Sequence, residues 1–99
     1  MSQHHFSAGD LTVIAGWDRP LGQFFLTVYR EADDLSTLVY CNLDDPDALP
    51  GGGLSVAQIV GRLAVLGIEP PPGLLGNLIA DAQSPWAGNR VVIYEERVK

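Results

Sequence analysis

Hydrophobic and polar positions alternate along the N-terminal half of the chain, which is the pattern of half-buried β-strands. The clearest case is residues 23–31, where Phe24, Leu26 and Val28 fall on one side and form the purer core side. The aromatic residues of the opposite side cover that side only in part. A strand pattern, rich in β-branched and apolar residues, recurs in three further stretches, namely residues 10–16, 36–43 and 90–96.

The C-terminal half carries two helical patterns, because apolar residues recur there three and four positions apart. Ser55 is suited to cap the first helix, and Gly67 is suited to end it in a left-handed conformation. Residues 70–72 are prolines that form a rigid link, and a proline can open the second helix, which ends near Gln83. The apolar stripes are Val56, Ile59, Val60, Leu63 and Leu66 in the first helix, and Leu74, Leu75, Leu78 and Ile79 in the second.

The predicted order β-β-β-α-α-β indicates a small α+β domain with a mostly antiparallel sheet and both helices packed on one face. Short connections favour a meander for the first three strands. We expect the last strand at an edge of the sheet, beside the strand at residues 10–16. With 99 residues the chain has room for one domain; we assign residues 10–99 to it and residues 1–9 to a flexible N-terminus.

Composition narrows the class of protein. Hydrophobic residues make up 46% of the chain and charged residues 18%, which is the reverse of a disordered composition. The most apolar region, residues 51–82, is interrupted by Arg62, Glu69 and prolines, so no membrane span is expected. The first ten residues lack the pattern of a signal peptide. Cys41 is the single cysteine, so no internal disulfide can form, and a reducing compartment such as the bacterial cytoplasm is expected.

Negative charge is concentrated in residues 31–47, which contain neither lysine nor arginine. The formal net charge of the whole chain is −6. The acidic residues of this stretch are Glu31, Asp33, Asp34, Asp44, Asp45 and Asp47. Such a surface repels phosphate backbones, so direct binding to nucleic acid is not expected. It favours a basic partner instead, for example a protein that itself binds nucleic acid.

The connection after the strand at residues 10–16 carries Trp17, Asp18 and Arg19. Tryptophan and arginine are enriched at the centres of protein interfaces, which favours a partner-binding role. The alternative is that Trp17 closes the end of the core while Asp18 and Arg19 form a weak, solvated ion pair. Trp86 has the same two interpretations, and if both loops lie at one end of the domain, Trp17, Arg19 and Trp86 form one patch.

The acidic and glycine-rich segment between the third strand and the first helix does not match a metal or phosphate motif. Asp44, Asp45 and Asp47 lack the alternation and the distal glutamate of a calcium loop. Residues 49–55 lack the lysine and the serine or threonine that complete a phosphate-binding loop. We therefore expect no metal and no cofactor.

Three other candidate groups have structural interpretations. His4 and His5 are adjacent, and neighbours on a strand point to opposite faces, so a mobile terminus is favoured over a pair of ligands. Cys41 lies in an alternating strand and is favoured as a buried thiol over a nucleophile. Asp81 lies near a helix end where the dipole disfavours a carboxylate; a local turn bond or a functional acid would explain it.

These observations favour a small acidic accessory or regulatory protein of bacterial type that binds another protein. The candidate partner-binding residues are Trp17, Asp18, Arg19, Trp86, Asp33, Asp34, Asp44, Asp45 and Asp47. The alternative is a small-ligand-binding protein or enzyme with a pocket between helices and sheet, using Asp81, Tyr40 or His5. It lacks a matched acid–base pair or an activated nucleophile, so no catalytic residue is assigned. A homodimer through an edge strand, at residues 37–43 or 91–94, is compatible with either function.

Overall fold

Four strands precede the two helices and a fifth strand follows them, in a computed structural model that describes residues 2–18, 22–32, 35–83 and 90–94. The strands are β1 (Ser2–Ala8), β2 (Leu11–Asp18), β3 (Gln23–Ala32), β4 (Leu35–Cys41) and β5 (Arg90–Ile93). The helices are α1 (Val56–Val65) and α2 (Leu74–Gln83), and a short 3-10 helix, Asn42–Asp44, follows β4. The predicted class, a small α+β domain, is confirmed.

The five strands form one sheet in the order β4-β3-β2-β1-β5. Neighbouring strands are antiparallel except for β1 and β5, which run parallel. The predicted meander is confirmed, since β2, β3 and β4 are consecutive neighbours. The last strand does lie at an edge, but it pairs with β1 rather than with β2 as predicted.

The strand β1 corrects the prediction of a flexible segment at residues 1–9. Ser2, His4 and Phe6 are buried on the core face, while the residues between them are less buried. Two of these three buried side chains are polar. The alternation of hydrophobic and polar residues is therefore too weak to identify β1 from the sequence. Hydrogen bonds satisfy both polar side chains inside the fold: the Ser2 hydroxyl accepts one from the Trp17 N–H (3.1 Å), and His4 contacts Asp81 as described below.

Both helices pack on one face of the sheet, as predicted. Phe24, Leu26 and Val28 of β3 lie in the core with the inward residues of α1 and α2. Ser55 caps α1 and forms a capping box with Gln58, and Gly67 follows the helix with a φ of 73°. Neither helix of the described residues is long and apolar enough to span a membrane.

Candidate functional site

The chain turns sharply where β4 ends, and Asn42 holds this turn. Its side chain is buried, accepts a hydrogen bond from the Leu26 N–H (3.1 Å) and donates one to the Gly52 carbonyl (2.7 Å). Asn42 thereby ties β3 to the glycine-rich loop before α1. The acidic residues 44–47 that follow are placed beside the outer edge of β4.

A groove of about 500 Å³ lies between this acidic loop and β4. We call it the β4 groove. Its lining residues are Leu38, Val39, Tyr40 and Cys41 of β4, residues 44–47 of the loop, and Arg62 of α1. Because β4 is an edge of the sheet, one wall of the groove is a strand edge.

The side chain of Asp45 lies beneath the loop and is 3% exposed. Its carboxylate accepts hydrogen bonds from the Tyr40 hydroxyl (2.6 Å) and from Arg62 Nε (2.7 Å). The Asp47 backbone N–H also donates to it (2.8 Å), which stabilises the turn. Asp45 therefore shapes the groove from within and presents no free carboxylate to a partner.

These contacts shift the ionisation of all three side chains. Hydrogen bonds from Arg62, from Tyr40 and from the Asp47 N–H hold the pKa of the Asp45 carboxyl well below its usual range. Burial and the hydrogen bond to Asp45 raise the pKa of Tyr40 to about 12. The same carboxylate raises the pKa of Arg62 above its ordinary value. The cluster is thus an ionised pair with a neutral phenol across the physiological pH range.

The exposed groups of the groove are two carboxylates and two apolar side chains. Asp44 is exposed, and Asp47 is 75% exposed while its carboxylate lies 3.1 Å from Arg62 Nη2. Leu38 is 50% exposed and Val39 36% exposed. A surface that combines apolar side chains with carboxylates fits a ligand that carries both apolar and basic groups.

The sheet face opposite the helices carries a second, smaller cavity of about 240 Å³. Phe25, Thr27 and Cys41 line it together with Leu43 and the loop at residues 51–53. Cys41 is half-buried there and also lines the β4 groove, so it is more accessible than the buried thiol that the sequence predicts. Farther along the same face, Val91 and Ile93 of β5 are exposed.

His4 and Asp81 form a buried polar pair between the sheet and α2. His4 is fully buried and Asp81 is 3% exposed, and His4 Nε2 lies 2.7 Å from Asp81 Oδ2. Asn77 donates to the Tyr94 hydroxyl (2.8 Å), so this hydroxyl can give its own hydrogen to His4 Nδ1 at 2.9 Å. In this arrangement the hydrogen on His4 Nε2 is donated to Asp81.

This chain of hydrogen bonds gives Asp81 a structural role through His4. The adjacent turn at residues 84–86, which the sequence suggests as its partner, lies outside the described residues. It joins β1, α2 and the end of β5, and its histidine is closed to solvent. Of the three residues named for the predicted alternative site, Tyr40 lines the β4 groove together with Arg62 of α1, whereas Asp81 and His5 line neither of the two cavities described above.

Of the predicted interface residues, Asp44, Asp45 and Asp47 line the β4 groove, whereas Trp17 and Asp18 lie elsewhere. Trp17 is half-buried, and its ring stacks at a tilt on Phe24 with centroids 4.7 Å apart. Its neighbour Asp18 lines the smaller cavity. The other predicted residues of this kind, Arg19, Trp86, Asp33 and Asp34, lie outside the described residues.

Sequence reasoning found the acidic loop but missed Tyr40 and Arg62 as its partners. Arg62 contacts Asp45 and Asp47 across a separation of 17 and 15 residues, and no local pattern reveals such a pairing. The only available signal was that Arg62 interrupts an otherwise apolar helix. Comparison of this chain with protein-family models, with curated proteins and with solved structures finds no match in any of the three.

Proposed function

We propose that this protein is an interaction module that binds a basic segment of another protein in the β4 groove. The observation that carries the proposal is the groove itself, since it runs beside an open strand edge. Exposed Leu38 and Val39 offer apolar contacts along β4. Asp44 and Asp47 on the opposite wall select the charge of the partner.

Electrostatics favours a basic partner. The groove contains the carboxylates of Asp44, Asp45 and Asp47 and the guanidinium of Arg62, which leaves an excess of negative charge. Since Asp45 and Arg62 neutralise each other, this excess resides on the exposed Asp44 and Asp47. The formal net charge of −6 adds a long-range attraction for cationic proteins, which raises the association rate at low salt.

An accessory or regulatory role in a reducing compartment such as the bacterial cytoplasm is part of this proposal. The single cysteine, Cys41, supports it because secreted domains of this size commonly rely on disulfides. The alternative of a ligand pocket between helices and sheet has less support. The histidine and the carboxylate found in that layer are bonded to each other and buried.

The proposal is tested by fluorescence anisotropy with two labelled peptides of equal length, one alternating lysine with valine and the other glutamate with valine. We expect the basic peptide to bind and the acidic peptide not to bind. Raising the ionic strength from about 50 mM to about 500 mM shortens the screening length severalfold, so the affinity for the basic peptide falls. Failure of the basic peptide to bind at low salt would overturn the proposal.

Charge-neutralising variants test whether the basic peptide binds in the β4 groove. The double variant Asp44→Asn, Asp47→Asn removes two exposed charges, each worth about 0.2 to 1 kcal/mol, so we expect an affinity loss of about two- to thirtyfold. Glu69→Gln is the matched control, because Glu69 is exposed and lies in the link between the helices, outside the groove lining. An equal loss in the control would show that net charge alone, not the groove, attracts the peptide.

A further inference from the structure

The outer edge of β4 has the features of a strand that can accept another strand. β4 is an end member of the sheet, so one row of its backbone groups has no partner strand among residues 2–18, 22–32, 35–83 and 90–94. Its sequence, LSTLVYC, contains no proline, no lysine and no other charged residue. Proteins commonly use such residues to protect exposed edges, and the only protecting feature within β4 is a bulge near Val39.

The register identifies the backbone groups that face outward. Thr37 and Tyr40 are the partners of Arg30 and Val28, which are even-numbered residues of β3. The backbone N–H and C=O groups of the even-numbered β3 residues point towards β4. The Leu26 N–H donates to Asn42, which follows β4, and Phe24 exchanges two backbone hydrogen bonds with Leu54. Thr37 and Tyr40 therefore bond inward. Because backbone groups alternate along a strand, those of Leu38 and Cys41 face the open edge.

The two sides of this edge differ in chemistry. On the helix side lie Asp44, Asp47 and Arg62, which form the far wall of the β4 groove. On the opposite side lies the exposed side chain of Leu38, whose partner in the register is Tyr29 of the uncovered face. A strand placed along the edge would direct alternate side chains to these two sides.

The geometry points to β-strand addition as the binding mode: an extended segment of the partner pairs with the outer edge of β4 as a sixth strand. Its basic side chains face Asp44 and Asp47, and its intervening apolar side chains extend the uncovered face beside Leu38. This inference rests on the proposed function and specifies its ligand as an extended segment that alternates basic and apolar residues. Main-chain hydrogen bonds to Leu38 and Cys41 supply affinity, and the side pockets supply specificity.

Charge complementarity favours such a partner over a second copy of this chain. Pairing of two β4 edges would bring two acidic loops, each with Asp44 and Asp47 exposed, to the same junction. Like charges placed opposite each other destabilise a pair, whereas a basic segment gains attraction at the same place.

The test uses the alternating lysine–valine peptide and two backbone-methylated forms of it, one N-methylated at every lysine and the other at every valine. Alternate N–H groups of a strand point to opposite edges, so only one of the two forms loses the hydrogen bonds to β4. We expect that form to bind at least about tenfold more weakly than the parent, and the other form to bind with nearly the parent affinity. The two forms have the same charge and composition, so each is the control for the other.

The outcomes separate the binding mode from the proposed function. Equal affinity of the two methylated forms, whether strong or weak, would overturn strand addition while binding of the parent peptide would leave the proposed function intact. No binding of the parent peptide would overturn both. A dimer in sedimentation that the parent peptide cannot dissociate, with the β4 amides protected from hydrogen exchange in the free protein, would show that a second copy occupies the edge and would also overturn the inference.

Discussion

The side chain of Asp45 organises the acidic loop although it is almost completely buried itself. Its carboxylate receives hydrogen bonds from β4, from α1 and from its own loop, through Tyr40, Arg62 and the Asp47 N–H. The loop is therefore held at a fixed position beside the strand edge. The exposed carboxylates on either side of Asp45 gain a defined place, which reduces the ordering cost when a partner binds.

Replacing Asp45 tests this role through the pH dependence of stability. The folded-state pKa of Asp45 is depressed, so its contribution is present above a pH of about 4, the ordinary pKa of an unfolded aspartate, and is lost as the pH falls below that value. We expect Asp45→Asn to lower the free energy of unfolding at neutral pH. The difference from wild type narrows progressively in acid, as measured by urea unfolding between neutral pH and about pH 2.

The control for this variant is Asp10→Asn. Asp10 pairs with Arg30 at 3.2 Å, but both side chains are more than half exposed. A pair of this kind contributes little and is screened by salt. A loss as large for Asp10→Asn as for Asp45→Asn, or a pH-independent loss for Asp45→Asn, would contradict the role of the Asp45 contacts.

His4 carries the second prediction at this scale, because it satisfies the buried Asp81. His4→Ala would remove a fully buried ring together with its hydrogen bonds to Asp81 and Tyr94, so we expect the free energy of unfolding to fall by about 3 kcal/mol. His5→Ala is the matched control: His5 lies on the opposite face of the same strand and is half-buried, so its loss costs about 1 kcal/mol or less. Equal losses in chemical denaturation would refute a special role for His4.

At the scale of the element, local signals identified β3 and α1, whereas β1 depended on distant ones. The alternation in β3 and the Ser55 cap of α1 are complete within a few residues of sequence. In β1, His4 is buried because it meets Asp81 and Tyr94, which are 77 and 90 residues away. A polar residue whose partners lie at the other end of the chain leaves no trace in a local pattern, and the strand order around it was missed for the same reason.

The pairing of β1 with β2 makes a prediction about Gly16. A Cβ atom at this position would overlap the Ser2 carbonyl oxygen and the Phe25 ring. Gly16→Ala therefore forces a backbone or ring shift, and we expect a loss of about 1 to 3 kcal/mol in thermal or chemical unfolding.

Gly61→Ala is the opposite control within the same protein. Gly61 lies in α1, and a Cβ atom there would meet nothing within 4 Å. Alanine is the better helix former, so we expect this variant to raise the free energy of unfolding by about 0.5 to 1 kcal/mol. Tolerance of alanine at position 16 as complete as at position 61 would contradict the close approach of β1 to β2.

At the scale of the molecule, the fold of a chain with a formal net charge of −6 places a charged groove at a strand edge. The fold class followed from the sequence because grouped strands before helices leave few arrangements of layers. The groove could not be predicted from the sequence, because it forms only where the β4 edge, the acidic loop and α1 meet. The density of acidic residues in the sequence indicated the loop that lines the β4 groove. Only the fold distinguishes the buried side chain of Asp45 from the exposed side chains of Asp44 and Asp47.

The most direct test of binding in the β4 groove is an amide chemical-shift map, recorded by NMR while the lysine–valine peptide is added to the isotope-labelled protein. We expect the largest shifts at the amides of residues 38–41, Asp44, Asp45 and Asp47, with smaller changes at the Arg62 amide and none around Trp17. Shifts centred instead on Trp17 and Phe25, or spread evenly over the surface, would contradict the groove as the binding site.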